Sequence, residues 1–216
     1  MNKGLFIVLE GVEGAGKSTQ ARFLSRWMDE LGISHTLARE PGGTPVGEAI
    51  RTIVLDRGEL TMPAETELFL ILAARAAFSR HVVRPALAEG RVFLADRFDF
   101  STFAYQGYGR GLDLPAVRRA NELATGGLRP DLVLVLDLPV AVGLERKVGG
   151  GPGDRIEREG EAFLQRVGEG YRALAAEEPR ARVIQADGSP EETQATLRRI
   201  LAETFPGTFP AVQVEK

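Results

Sequence analysis

The chain has no cysteine in its 216 residues. That excludes a disulfide framework and any thiolate metal site. There are two histidines, His35 and His81. They stand alone, without ligand partners at useful spacing, so both read as ordinary polar residues. Aromatic residues make up 7% of the chain and include one tryptophan, Trp27, which reads as core. No apolar run approaches the roughly 18 residues needed to cross a bilayer, and no basic region precedes the first apolar run as it would in a signal peptide. Basic residues number 27 and acidic ones 30, for a net charge of -3, and the arginines are scattered rather than blocked. Nothing here calls for a nucleic-acid or acidic-membrane partner. The expectation is a soluble, cytoplasmic protein folded as one large α/β domain over residues 1–216, without internal repeats.

What is present is concentrated near the start. Leu5 to Leu9 is an unbroken apolar run, right for a strand buried on both faces. Gly11-x-x-x-x-Gly16-Lys17-Ser18 follows, and Thr19 to Leu31 then carries apolar residues close to helical spacing. Strand, glycine loop and helix together form the context of a P-loop. Its glycines let backbone N–H groups turn inward around an anion, and the helix starts with its positive end toward that anion. Gly11, Val12, Glu13, Gly14, Ala15, Gly16, Lys17, Ser18 and Thr19 are the candidate residues for binding nucleotide phosphates. Lys17 can reach the β- and γ-phosphates, and Ser18 can hold Mg²⁺. By itself the loop means nucleotide phosphate binding, whether in a kinase, a switch or a motor.

Further apolar runs predict strands at 34–38, 91–95, 132–136 and 182–186, alternating with helices at 46–55, 66–78, 114–125, 140–147, 162–176 and 190–204. The tail from Phe205 is expected to be loose. This alternation gives a P-loop NTPase-type, five-stranded parallel sheet with helices on both faces. Ligands of such sheets bind at the carboxyl ends of the strands. Two charged pairs fall there. Arg39-Glu40 opens a loop that runs on through Pro41-Gly42-Gly43-Thr44-Pro45, and Asp96-Arg97 ends the third strand. The first loop could be mere punctuation and the second pair a loop anchor, or both could serve phosphate, with Asp96 also a metal ligand. Helix 66–78 is apolar over most of its circumference, so it has a second side to hide, and Arg75 interrupts it. Such an arginine either finds an anionic or hydrogen-bonding partner or packs its stem and sends its head to water. Residues 148–154, four glycines and a proline among seven, are flanked by Arg146, Lys147, Arg155 and Arg158, which suits a short lid over phosphates at about 148–159.

Four segments combine. Glu10 to Ser18, Arg39-Glu40-Pro41-Gly42-Gly43-Thr44, Ala73-Ala74-Arg75, and Asp96 through Ser101-Thr102 to Ala104-Tyr105-Gln106 together resemble the bacterial thymidylate kinases. The likeness extends over nearly the whole chain, to Asp154-Arg155-Ile156-Glu157. It implies transfer of the γ-phosphoryl group of ATP to the 5′-phosphate of dTMP, with Mg²⁺ held by Ser18 and Asp96. It implies that Lys17, Arg97, Arg155 and Glu13 serve catalysis. It further implies that dTMP is held by Glu13, Arg39, Arg51, Ile71, Arg75, Arg97, Ser101, Thr102, Tyr105 and Gln106. In this assignment Arg97 and Arg39 grip the acceptor phosphate with Arg51 in support, and Arg75 meets the thymine edge. Thr102 and Gln106 complete base recognition, and Tyr105 lies under the sugar. The P-loop carries no arginine at positions 12 to 15, so the lid supplies that cation, Arg155 first, helped by Arg146, Lys147 and Arg158. Members usually have phenylalanine where this chain has Ile71, which leaves Phe100, Phe103 or Tyr105 to compensate. Family members are dimeric, so a homodimer through apolar helices including 66–78 is expected. The rivals are another nucleotide or deoxynucleoside kinase of the same fold, and a regulatory GTPase, whose Asn-Lys-x-Asp motif is absent.

Overall fold

The computed structural model describes residues 4–56, 60–147 and 155–211. The glycine-rich part of the expected lid, 148–154, lies outside these.

Five parallel strands form one sheet: β1 (Leu5–Gly11), β2 (His35–Arg39), β3 (Val92–Asp96), β4 (Leu132–Asp137) and β5 (Ala181–Gln185), in the order β2-β3-β1-β4-β5. β1 lies at the centre because its run is apolar on both faces. Ile7 and Leu9 enter the larger core cluster, while Phe6 and Val8 join Phe78, Phe93 and Phe98 in a second one. The second cluster is built of edge-to-face ring pairs, with Phe6 and Phe98 centroids 4.9 Å apart. Register places Leu9 beside Asp96, Gly11 beside Leu136, and Arg39 beside Asp96. The carboxyl ends of the three central strands and of β2 therefore converge on one edge.

The helices are α1 (Lys17–Glu30), α2 (Pro45–Val54), α3 (Ala64–Phe78), α4 (Arg84–Ala88), α5 (Asp99–Thr102), α6 (Leu114–Thr125), α7 (Val140–Lys147), α8 (Glu161–Glu177) and α9 (Pro190–Thr204). Their starts follow the capping chemistry. The Thr44, Asp113 and Ser189 side chains each accept from a backbone N–H in the first turn, with proline next in sequence at Pro45 and Pro190 and near the start at Pro115. Two departures from the sequence expectation matter. First, α3 does not stop at Phe78 but continues through a π-helical turn, Ser79–Val83, into α4. Second, residues 101–106, whose sequence reads as a short helix, belong to α5 and to a longer π-helical stretch, Phe103–Gly109. The Arg110 N–H reaching the Tyr105 carbonyl, five residues back, shows the wider winding. Periodicity cannot separate π from α winding over so few residues.

The chain's end corrects a third expectation. The segment after Phe205 is docked, at least to Phe209, which is 1% exposed and stacks on Trp27 with centroids 5.5 Å apart. A single aromatic in a short tail is enough to hold it when α9 already packs along α1.

Candidate functional site

The P-loop owes its shape to three glycines. Gly11, Gly14 and Gly16 have φ of 138°, 75° and 85°, all costly for other residues. A Cβ on Gly14 would also lie 2.3 Å from the Gly143 carbonyl oxygen of α7. Gly16 caps α1, so the helix begins at Lys17 with its N–H groups facing the loop. The Lys17 ammonium donates to the Gly11 and Val12 carbonyls at 3.0 and 2.7 Å, bridging the loop's crown. Burial, and next the charge of Arg97, push its pKa down to about 8. The Ser18 hydroxyl donates to the Asp96 carboxylate at 2.5 Å. No group of three metal-ligating side chains occurs among the described residues. One hydroxyl and one carboxylate at a single point nonetheless suit Mg²⁺, which keeps several waters and takes phosphate oxygens.

A cleft of about 440 Å³ opens from this loop along the strand ends. It brings together Glu13, Gly14, Gly16, Lys17, Ser18 and Thr19 with Arg39, Arg51, Ile71, Arg75, Asp96, Arg97, Ser101, Thr102, Tyr105 and Gln106. Of the expected site residues, Gly11, Val12 and Ala15 belong to the loop but do not line the cleft. Arg155 is apart: its guanidinium donates to the Val54 carbonyl at 3.1 Å and to the Glu67 carboxylate, while the neighbouring Ile156 lines the cleft. Arg146 also lines it, and is tied to the Ala186 and Asp187 carbonyls. Phe100 and Phe103 do not reach the cleft; they face a separate cavity of about 230 Å³ behind α5 and α6. Of the three aromatics proposed to compensate for Ile71, only Tyr105 is in place.

Arg97 is the hub of the middle. It takes a left-handed backbone, φ 75°, unusual for a residue with a side chain. Its N–H groups reach Ser101 and Tyr171 at 3.1 Å and the Gly11 carbonyl at 3.2 Å, as well as the Glu13 carboxylate. The guanidinium also sits 5.2 Å from the centroid of the Tyr105 ring. Arg39 pairs with Glu48 on the exposed rim at 3.2 Å, and Arg51 donates to the Pro41 carbonyl at 3.0 Å. The far wall belongs to Arg75, 1% exposed, so its head does not reach water. It donates to Glu40 at 2.8 Å, Thr102 at 2.6 Å, Asn121 at 2.9 Å and the Phe98 carbonyl at 2.7 Å. Those bonds take four of the five N–H groups a guanidinium carries. Burial raises the pKa of Glu40 to about 7 even against the pull of Arg75.

Sequence reasoning passed over four polar side chains. Glu10, fully buried, accepts from the Phe98 N–H at 2.8 Å and the Ser101 hydroxyl at 2.6 Å, and so fixes the turn that presents Arg97. Tyr171, from α8, donates to the same carboxylate at 3.1 Å. Glu67 and Asn121 stand behind the cleft, accepting from Gln106 and Arg75. Glu10 had a visible signal: a lone carboxylate ending a strand that is otherwise apolar. The other three needed the tertiary fold.

The thymidylate kinase family model matches residues 9–197. The thymidylate kinase of Pseudomonas fluorescens is 49% identical over 201 residues, covering 93% of this chain and 96% of its own. That of Desulforudis audaxviator is 51% identical over 177 residues, or 82% and 80% of the two chains. Among solved structures, thymidylate kinase from Ehrlichia chaffeensis superimposes with a TM-score of 0.75 at 28% identity, covering 92% of this chain and 98% of that one.

Proposed function

Since the chain belongs to the thymidylate kinase family, a family of nucleoside monophosphate kinases, and moves the γ-phosphoryl group of ATP onto dTMP to give dTDP and ADP, we propose that it does so within the cleft just described. The observation that carries this assignment is continuity: one cleft joins the P-loop, then Arg97, then the wall of Arg75, Thr102 and Gln106. That order matches donor phosphate, acceptor phosphate and acceptor base.

ATP lies with its phosphates on the loop N–H groups and Lys17. Mg²⁺, held by Ser18 and Asp96, neutralises charge on the phosphate oxygens when it is bound. Arg97 and Arg39 grip the 5′-phosphate of dTMP, Arg51 supports them, and Glu13 orients Arg97 from the loop. Phosphoryl transfer needs alignment and charge neutralisation more than covalent help, so no protein nucleophile is assigned. Tyr105 packs under the sugar, Ile71 against the base, and the fifth N–H of Arg75 meets the base's carbonyl edge. Arg155 supplies the cation for the transferring group by exchanging Glu67 for phosphoryl oxygens. The chain works as one domain over 1–216 with its lid at about 148–159, in the cytoplasm, without a nucleic-acid or membrane partner. No described helix is long and apolar enough to cross a membrane.

Two copies associate through α2, α3 and α6. α3 packs on both of the others, and Phe69 and Leu123 stand 65% and 87% exposed on these helices. A coupled assay of ADP release with ATP and each of the common nucleoside monophosphates tests the activity. dTMP is the expected best acceptor, and a preference for thymidine itself would overturn the reading.

A further inference from the structure

Glu67 enters the chemistry above only as the resting partner of Arg155, yet it is 1% exposed and takes donors from three side chains. The amide nitrogen of Gln106 donates to its Oε1 at 2.8 Å, and Arg110 Nε donates to the same oxygen at 3.2 Å. Arg110 Nη2, at 3.0 Å, and Arg155 donate to Oε2. Burial alone would raise its pKa, but the hydrogen bonds from Arg110, Gln106 and Arg155 outweigh burial and lower it. The group is therefore an ionised carboxylate, which accepts hydrogen bonds and donates none.

That fixes the orientation of the neighbouring amide. Gln106 can turn only its NH₂ toward Glu67, because the reverse would set a carbonyl oxygen against a carboxylate. The choice follows from charge and so holds however the amide atoms are assigned. Its carbonyl oxygen, Oε1, is left buried without a hydrogen-bond partner. Gln106 lines the cleft beside Thr102 and Arg75, and Glu67, Ile71 and Arg75 follow one another at four-residue steps along one face of α3.

Resting on the dTMP kinase reading, we propose that Glu67 is a positioning residue that sets the hydrogen-bonding polarity of the base pocket: by capturing the NH₂ of Gln106 it presents the amide carbonyl to the substrate, so that the wall offers one acceptor beside the donor of Arg75. Thymine and uracil carry an N–H next to a carbonyl on this edge and match it. Cytosine carries a ring nitrogen acceptor next to an amino donor and opposes it at both points. A site with a buried acceptor in want of a donor rejects the base that lacks one.

The test is the ratio of kcat/KM for dTMP over dCMP. Glu67→Gln lets the Gln106 amide turn over, and the ratio is expected to fall at least tenfold, with the value for dCMP rising in absolute terms. Gln106→Leu, which keeps Glu67 with Arg110 and Arg155, should lower the ratio too, and adding Glu67→Gln to it should change the ratio little further. A Glu67→Gln enzyme whose activity falls equally on both substrates, leaving the ratio unmoved, overturns the proposal. Should that variant not fold, NMR on the wild-type chain decides the matter. On addition of dTMP, the Gln106 side-chain carbonyl ¹³C, assigned by its loss in Gln106→Leu, should shift while the NH₂ protons stay protected. The opposite pattern rejects the idea. A wild type that phosphorylates no dTMP sinks the kinase reading itself and is told apart by that first measurement.

Discussion

Lys17 shows how much of a residue's behaviour the sequence conceals. The motif gave its position and its duty, but not that burial and Arg97 would lower its pKa to about 8. Phosphate oxygens restore the charged form on binding, so ATP should bind with proton uptake near pH 9 and with almost none near pH 6.5, where Lys17 is already protonated. Calorimetry in buffers of different ionisation enthalpy reads this directly, and buffer-independent heats at the higher pH would refute it. Lys17→Ala should cut turnover by about 10³-fold, roughly 4 kcal/mol of transition-state stabilisation, and Arg97→Ala comparably through the acceptor phosphate. Ile71 makes a second case. Base–aromatic stacking contributes about 1–3 kcal/mol by alanine substitution, and an aliphatic face supplies part of that. With Phe100 and Phe103 turned to the other cavity, Tyr105 alone remains to help. Titration calorimetry should find dTMP binding weakened by Ile71→Ala and tightened several-fold by Ile71→Phe, and an unchanged affinity in the alanine variant would place the base elsewhere. At this scale the legible residues were those in local motifs. Glu67 and Tyr171 were illegible because a carboxylate or phenol on a helix looks the same whether it faces water or a buried guanidinium.

Elements were read more surely than residues. β1, β3 and β4 stood out as apolar runs because burial on both faces leaves few polar residues to blur them, whereas β2 and β5 at the sheet edges are only partly buried; all five were placed to within one or two positions at their ends. The caps at Thr44, Asp113 and Ser189 likewise belong to local chemistry. The π-helical stretch Phe103–Gly109 did not, since it depends on α8 lying against it. Gly170 of α8 leaves room for Tyr108: a Cβ there would stand 2.7 Å from the Tyr108 ring. Gly170→Ala should gain about 0.5–1 kcal/mol of helix propensity but lose about 1–3 kcal/mol to overpacking. A lower melting temperature together with weaker dTMP binding is therefore expected, since the displaced segment carries Tyr105 and Gln106. Gly168, whose added Cβ would meet Val12 at an ordinary 3.6 Å, is the matched control and should be neutral or stabilising. If thermal melts and titrations rank the two variants alike, the packing argument is wrong.

For the molecule as a whole, the parallel sheet and the siting of charge at its carboxyl edge followed from alternation alone. The second apolar side of α3 was also foreseen, and Phe69 and Ala73 are exposed there while Leu68 and Leu72 are buried. Phe69→Asp should convert the proposed dimer to monomer in sedimentation velocity, with little loss of fold by circular dichroism; a wild type already monomeric at micromolar concentration would remove the basis for the proposal. The docked chain end was not foreseen, and it has a practical result. Trp27 is the chain's one tryptophan, it sits in the last turns of the helix that begins at the P-loop, and Phe209 stacks on it at an interplanar angle of 13°. Its emission is thus an intrinsic reporter, free of added dye, on the far end of the nucleotide-binding helix. A nucleotide that shifts α1 along its axis will register in that one fluorophore, and clipping the chain before Phe209 should redden the emission while leaving every residue of the cleft in place.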